Sequence, residues 1–159
     1  MAETTTYRTL DTSIGTLRLV TNSTHLLRIE FPGQHGCDGV AGKTPLLTEI
    51  ASQLQQYLSG ARKRFSLPLA PAGTTFQKEV WDALLAIPYG ESRSYMEIAR
   101  AIGRPRAVRA VGAANGRNPL PLVIPCHRVI GSNGKLTGYA GGLDTKTALL
   151  ALESSPATA

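Results

Sequence analysis

The sequence predicts a small α/β unit followed by a mainly helical one. Three observations lead there. Short runs of β-patterned residues are confined to the first 70 residues of the chain. Two capping-box patterns, Thr74/Gln77 and Ser94/Glu97, open helical stretches further on. Between the β-patterned runs and the first capping box, the segment LAPAG at 69–73 has the composition of a linker. The division expected is therefore residues 1–73, an N-terminal α/β domain with its linker, residues 74–153, a C-terminal domain, and a frayed tail at 154–159.

In chain order, Tyr7–Thr12 and Thr16–Thr21 read as strands around Ser13-Ile14-Gly15, a hairpin signal. Leu26–Phe31 reads as a third strand, and PGQHGCDGVAGK as a Gly-rich loop. Leu46, Leu47, Ile50, Leu54, Tyr57 and Leu58 recur at helical spacing, and Gly60 closes that helix. Phe65–Leu69 reads as one more short strand. In the second part, Phe76, Val80, Trp81, Leu84 and Leu85 form a helical face that must stop near Pro88. Ser94 opens a short helix with Ile98, Ala101 and Ile102 inward and Gly103 at its C-terminus. Pro105 suits the first turn of a further helix, running to about Ala114. Two short helices joined by Gly103-Arg104-Pro105 make a helix-turn-helix pattern. NPLPLVIPCHRVI is too rich in proline for a helix and reads as extended and buried. Asp144 reads as the N-cap of a last helix carrying Leu149, Leu150 and Leu152.

Composition narrows the function. Hydrophobic residues make up 42% of 159 positions, as in an ordinary globular protein. No apolar run is long enough to span a membrane, and MAETTTYRTL lacks the apolar core of a signal peptide, so the expectation is a soluble cytoplasmic protein. The net charge is +6. Seven arginines (93, 100, 104, 106, 109, 117 and 128) fall within 93–128 against a single acid, Glu97, which favours a polyanionic partner. Cys37 and Cys126 suit a reducing compartment rather than a disulfide. His25, His35 and Cys37 lack the tight paired spacing of a zinc site, and no metal or other cofactor is expected. The sharpest local feature is Pro125-Cys126-His127-Arg128. Cationic neighbours favour the reactive thiolate. In an extended segment, however, adjacent side chains point opposite ways, so coupling Cys126 to His127 requires a bend or a bridging water.

LVIPCHRVIG followed by GKLTGYAGGLDTKTALLALE resembles the active-site region of the O6-alkylguanine-DNA alkyltransferases, the methylated-DNA–protein-cysteine methyltransferases. TTFQKEVWDALLAIPYGESRSYMEIARAIG and RAVGAANGRNPLPLVIPC fit the same family in order and spacing. The resemblance is strong over 74–153 and extends to the first 70 residues only as an overall pattern. It implies a ribonuclease H-like N-terminal domain and a helix-turn-helix that enters the minor groove of duplex DNA carrying O6-alkylguanine. It also implies that a flipped nucleotide gives up its alkyl group, once and irreversibly, to Cys126. On this reading His127 relays the thiol proton through water, and Glu153 orients it. Asn118 ties the turn before the active site to the helix-turn-helix. Tyr95 hydrogen-bonds the guanine ring and assists its departure. Arg109 fills the gap left by the flipped nucleotide, with Arg106 nearby, and Ala107, Ala110 and Gly112 allow close approach to the groove. Tyr139 flanks the base, Ala140 offers its backbone N–H to O6, and the carbonyls of Cys126 and Val129 accept from the guanine amino group. Val108 stands where the family commonly has alanine, and its orientation is open. So are O4-alkylthymine repair and cooperative binding of what is otherwise expected to be a monomer. Three other classes compete: a lesion sensor without repair, which would lack the cysteine; a transcription regulator, for which the chain has no room for a regulatory domain; and a Cys–His hydrolase, which would turn over repeatedly.

Overall fold

The computed structural model describes residues 4–34, 39–131, 139 and 141–154. The chain forms two compact units that divide between Ala72 and Gly73.

The first unit is a four-stranded sheet, ordered β3-β2-β1-β4, with one helix. Strands β1 (Thr6–Thr12) and β2 (Gly15–Thr21) form a hairpin in antiparallel register from Thr6↔Thr21 to Thr12↔Gly15. The turn is fastened by the Thr12 hydroxyl, which donates to Gly15 O at 2.6 Å. Strand β3 (Leu26–Glu30) pairs antiparallel with β2, with an irregularity at Val20/Thr21. Strand β4 (Val40–Ala41) lies parallel to β1 and comes from the segment read as pure loop. At two residues it carries too little side-chain pattern to be visible in sequence. The strand expected at Phe65–Leu69 does not form. Only Leu69 bridges to Leu26, and the Ser66 backbone is held by the Gln53 side chain instead. Helix α1 (Pro45–Leu58) starts where Pro45 follows the N-cap Thr44, whose hydroxyl accepts from Leu47 N. It packs on β1 and β2. Leu10, Leu17, Leu19, Leu47, Ile50, Leu54 and Tyr57 are buried in this unit.

The second unit carries both capping boxes as read. Helix α2 (Thr75–Leu85) opens on Thr74/Gln77, and α3 (Tyr95–Ala101) on Ser94/Glu97, each with both reciprocal hydrogen bonds present. Buried Trp81 ties α2 to helix α4 (Val108–Gly116) by donating from Nε1 to Ala114 O at 2.9 Å. Gly73 is not merely linker. A Cβ there would sit 2.5 Å from the Trp81 ring, so the ring can close over the backbone only at glycine. Helix α4 begins three residues after Pro105 rather than at it, because 104–107 forms a turn closed by Ala107 N to Arg104 O. Gly103 follows α3 at φ +74, the left-handed conformation expected of it. Helix α5 (Leu143–Ser154) places Asp144 inside the first turn rather than at the N-cap, since Lys146 N already bonds to Gly142 O. Two short strands, β5 (Arg93–Ser94) and β6 (Val129–Ile130), pair in parallel. Among the described residues no helix is long and apolar enough to cross a membrane.

Candidate active site

Residues 120–128 are buried as expected but not extended. Ile124 N bonds to Leu120 O (2.8 Å), Cys126 N to Ile124 O (2.8 Å) and Arg128 N to Pro125 O (3.0 Å), so the segment is a chain of tight turns ending in a 3-10 turn at Cys126–Arg128. The prolines forbid a helix, but the carbonyls still need donors inside a dry core, and turns supply them. Asn118 completes the set. Its amide donates to Ile124 O (2.8 Å), and its Oδ1 accepts from Leu120 N (2.9 Å). These bonds hold Leu122 at φ 76, a left-handed conformation that a branched apolar residue adopts only under constraint. The 3-10 turn bends the backbone at Cys126 and His127.

Cys126 is 5% exposed. Burial pushes its thiol up to about 11, against smaller opposing effects from the Asn118 amide and the Lys146 ammonium. The expectation that neighbouring cations favour the thiolate is therefore overturned for the resting protein. His127 is itself held below its ordinary range, first by burial, against the pull of Glu153. The Arg128 charge is already engaged. Its Nε and Nη2 donate to Glu153 Oε1 (2.8 Å) and Oε2 (3.0 Å), and its Nη1 donates to Ile87 O (2.7 Å). Arg128 thus leaves the arginine cluster read as polyanion-facing, and it is 7% exposed. Glu153 Oε2 also lies 2.7 Å from His127 Nε2. A carboxylate there fixes the proton on Nε2 and leaves Nδ1 as the basic nitrogen. Glu153, which sequence alone would read as an ordinary acid at a helix end, is the buried hub of the cluster.

Tyr95 opens α3 directly after β5. The β5–β6 pairing therefore sets it beside the strand that follows the 3-10 turn. A Cβ at Gly112 would lie 3.9 Å from the Tyr95 ring, so this glycine fronts Tyr95. On α4, Val111, Ala114 and Asn115 point inward, while Arg109 and Ala110 are exposed and Ala107 and Val108 half-buried. Arg106 is exposed in the preceding turn. Tyr139 is half-buried and its carbonyl accepts from Gly142 N. Ala140, His35 and Cys37 lie outside the described residues. Among the described residues no group of His, Cys, Asp and Glu could hold a metal.

Two buried polar residues escaped the sequence reading. Lys146 is fully buried, and its Nζ donates to Val129 O at 2.7 Å, so that carbonyl already has a donor. Asn115 donates from Nδ2 to Cys126 O at 3.5 Å. Each had a signal. Lys146, Leu149 and Glu153 share one face of α5, and Asn115 shares the apolar face of α4 with Val111.

A family model described as 6-O-methylguanine DNA methyltransferase, DNA binding domain, matches residues 75–155, and the ribonuclease-like domain of the same family matches 5–71. The chain is 48% identical to the constitutive methylated-DNA–protein-cysteine methyltransferase of Bacillus subtilis (strain 168), over 92% of this chain and 94% of that one. It is 59% identical to the enzyme of the same name from Methanosarcina barkeri over 80% of this chain and 78% of that one. Among solved structures, Mycobacterium tuberculosis OGT in complex with DNA is 47% identical, with a TM-score of 0.89 over 94% of this chain and 92% of that one. With both family domains matched in order and high identity along nearly the whole chain, the protein belongs to the methylated-DNA–protein-cysteine methyltransferase family.

Proposed function

We propose that this protein repairs duplex DNA by taking the alkyl group from O6-alkylguanine onto Cys126, once per molecule. The observation that carries the proposal is a buried thiol one residue from an imidazole whose tautomer is set by a buried carboxylate. Cys126 Sγ attacks the alkyl carbon, the carbon–O6 bond breaks, and its electron pair leaves on guanine. The thiol proton passes to His127 Nδ1 through a water, and the net proton ends on the guanine, with Tyr95 donating to the departing ring. The product thioether has no hydrolysable bond, so turnover is one. The test is duplex DNA carrying labelled O6-methylguanine. One equivalent of label should become covalently attached to protein, and multiple turnovers or none would refute the reading.

A thiol this buried cannot reach a guanine inside the base stack, so the nucleotide must be extruded. We assign the helix pair α3–α4 as a helix-turn-helix that binds in the minor groove. Its exposed face carries Arg109, Ala110 and Ala113, flanked by Arg106 and Arg117. Arg109 takes the space of the extruded nucleotide. Arg109→Ala should slow repair in duplex by about tenfold or more, because unstacking costs a few kcal/mol that the side chain offsets. Repair of a single strand should stay within a factor of about two. Equal losses on both would place Arg109 as an ordinary phosphate contact. The same domain would act inside the cell, on chromosomal DNA.

A further inference from the structure

Glu153 Oε2 is shared. It lies 2.7 Å from His127 Nε2 and accepts from Arg128 Nη2 at 3.0 Å. Whatever fixes Arg128 therefore also fixes how the carboxylate meets the imidazole. The turn that follows α2 does so through several contacts. It is closed by Glu91 N bonding to Pro88 O at 3.1 Å. Ile87 O, at its entrance, accepts from Arg128 Nη1 at 2.7 Å. The half-buried Tyr89 sets its ring against the same guanidinium, with Arg128 Cζ 5.6 Å from the ring centroid. The Tyr89 hydroxyl donates to Leu152 O at 3.5 Å, one residue before Glu153 on the last turn of α5. Gly90 adopts φ +82, and a Cβ there would lie 3.2 Å from Glu153 O, so the turn closes tightly on that end of α5.

A guanidinium carries five donors and can trade a carboxylate for water or another acceptor by a small rotation. An aromatic face restricts that rotation and keeps water off the charge, and a dry ion pair is the stronger one. We propose that Tyr89 is a positioning residue for alkyl transfer: it acts through Arg128 and the last turn of α5 to keep Glu153 Oε2 on His127 Nε2. The role rests on the repair reading above and is exercised through the carboxylate, not on the base. The ring carries more of it than the hydroxyl, whose bond is long at 3.5 Å. His127 also feels the Lys146 charge from α5, and it is held below its ordinary range first by burial. Removing the ring admits water to the cluster, relieves that burial and raises the His127 pKa, while Glu153, Arg128 and Lys146 all remain.

The test is the single-turnover rate of transfer from labelled O6-methylguanine in duplex DNA, measured from pH 5 to 9 at saturating protein. Tyr89→Phe keeps the ring and should transfer within about twofold of the unaltered protein at every pH. Tyr89→Leu removes the aromatic face and should transfer about tenfold slower at neutral pH, a partial loss of what a positioned acid–base pair contributes. Its acid-side fall should begin at higher pH, and its deficit should narrow toward pH 9, where the thiolate forms without the relay. Tyr89→Met, which fills more of the ring's space without its face, is held to the same criteria if the leucine variant does not fold. A deficit of equal size at every pH would show that Tyr89 only packs. An unchanged rate, or an equal loss in Tyr89→Phe, would likewise overturn the assignment. Absence of transfer by the unaltered protein would instead remove the repair reading itself, and this inference with it.

Discussion

Cys126→Ser should transfer no alkyl group and still bind DNA. The hydroxyl is nearly isosteric with the thiol, so the turns around it and the Asn118 bonds survive, but it is far less nucleophilic. Cys37→Ser should transfer normally, and peptide mass spectrometry after reaction should find the alkyl group on Cys126. Finding it on Cys37 would sink the assignment. The pH dependence follows from burial. With the thiol pushed up to about 11, on the order of one molecule in ten thousand carries a thiolate at neutral pH. A reaction limited by that fraction would speed up about tenfold per pH unit. If His127 removes the proton as the carbon–sulfur bond forms, the rate is instead nearly flat across neutral pH. It should fall only on the acid side, below the usual histidine range, because burial lowers the His127 pKa. Transfer rates measured from pH 5 to 8 separate the two.

The sequence disclosed what local chemistry encodes. Thr74/Gln77 and Ser94/Glu97 announced two helices because a capping box is complete within four residues. The hairpin β1–β2 was readable from alternation and a glycine. Long-range pairing was not. Nothing near Val40 states that it will lie beside Thr6, and nothing near Phe65 states that a Gln53 side chain will take the place of a strand neighbour. The site divides the same way. The PCHR motif identified Cys126 and His127, and the resemblance pointed to Glu153. Arg128 was misread because an arginine in a basic stretch looks solvated until a carboxylate 25 residues away is found to bury it. Lys146 was missed for the same reason, its partner being the backbone of Val129. The raised thiol pKa was hidden as well, since adjacency to cations is visible in sequence and desolvation is not.

Glu153→Gln should be the most destabilising change in the site and should slow transfer as well, and the two losses can be separated. Glu153 and Arg128 form a buried pair, with side chains 1% and 8% exposed. Removing one partner leaves a buried charge uncompensated, which costs about 3–5 kcal/mol. At roughly 2–4 °C per kcal/mol for a chain of this length, the melting midpoint should drop by about 6–20 °C. The double variant Glu153→Gln/Arg128→Met removes both charges and should recover a large part of that loss. It should not recover transfer at neutral pH, because His127 Nε2 still lacks its carboxylate. The expected rate deficit is about a hundredfold or more, the ordinary contribution of a positioned acid–base pair. The deficit should narrow as pH rises, since the thiolate then forms without the relay. That comparison belongs below about pH 9. The thiol pKa is raised on folding, so its contribution to stability is complete below the ordinary value of 9.0 and is lost as pH climbs toward about 11. A double variant that melts near the unaltered protein and transfers at its rate would show that Glu153 serves only to neutralise Arg128. One that melts normally, transfers slowly at pH 7 and catches up toward pH 9 would show the carboxylate acting through His127 on the proton of Cys126.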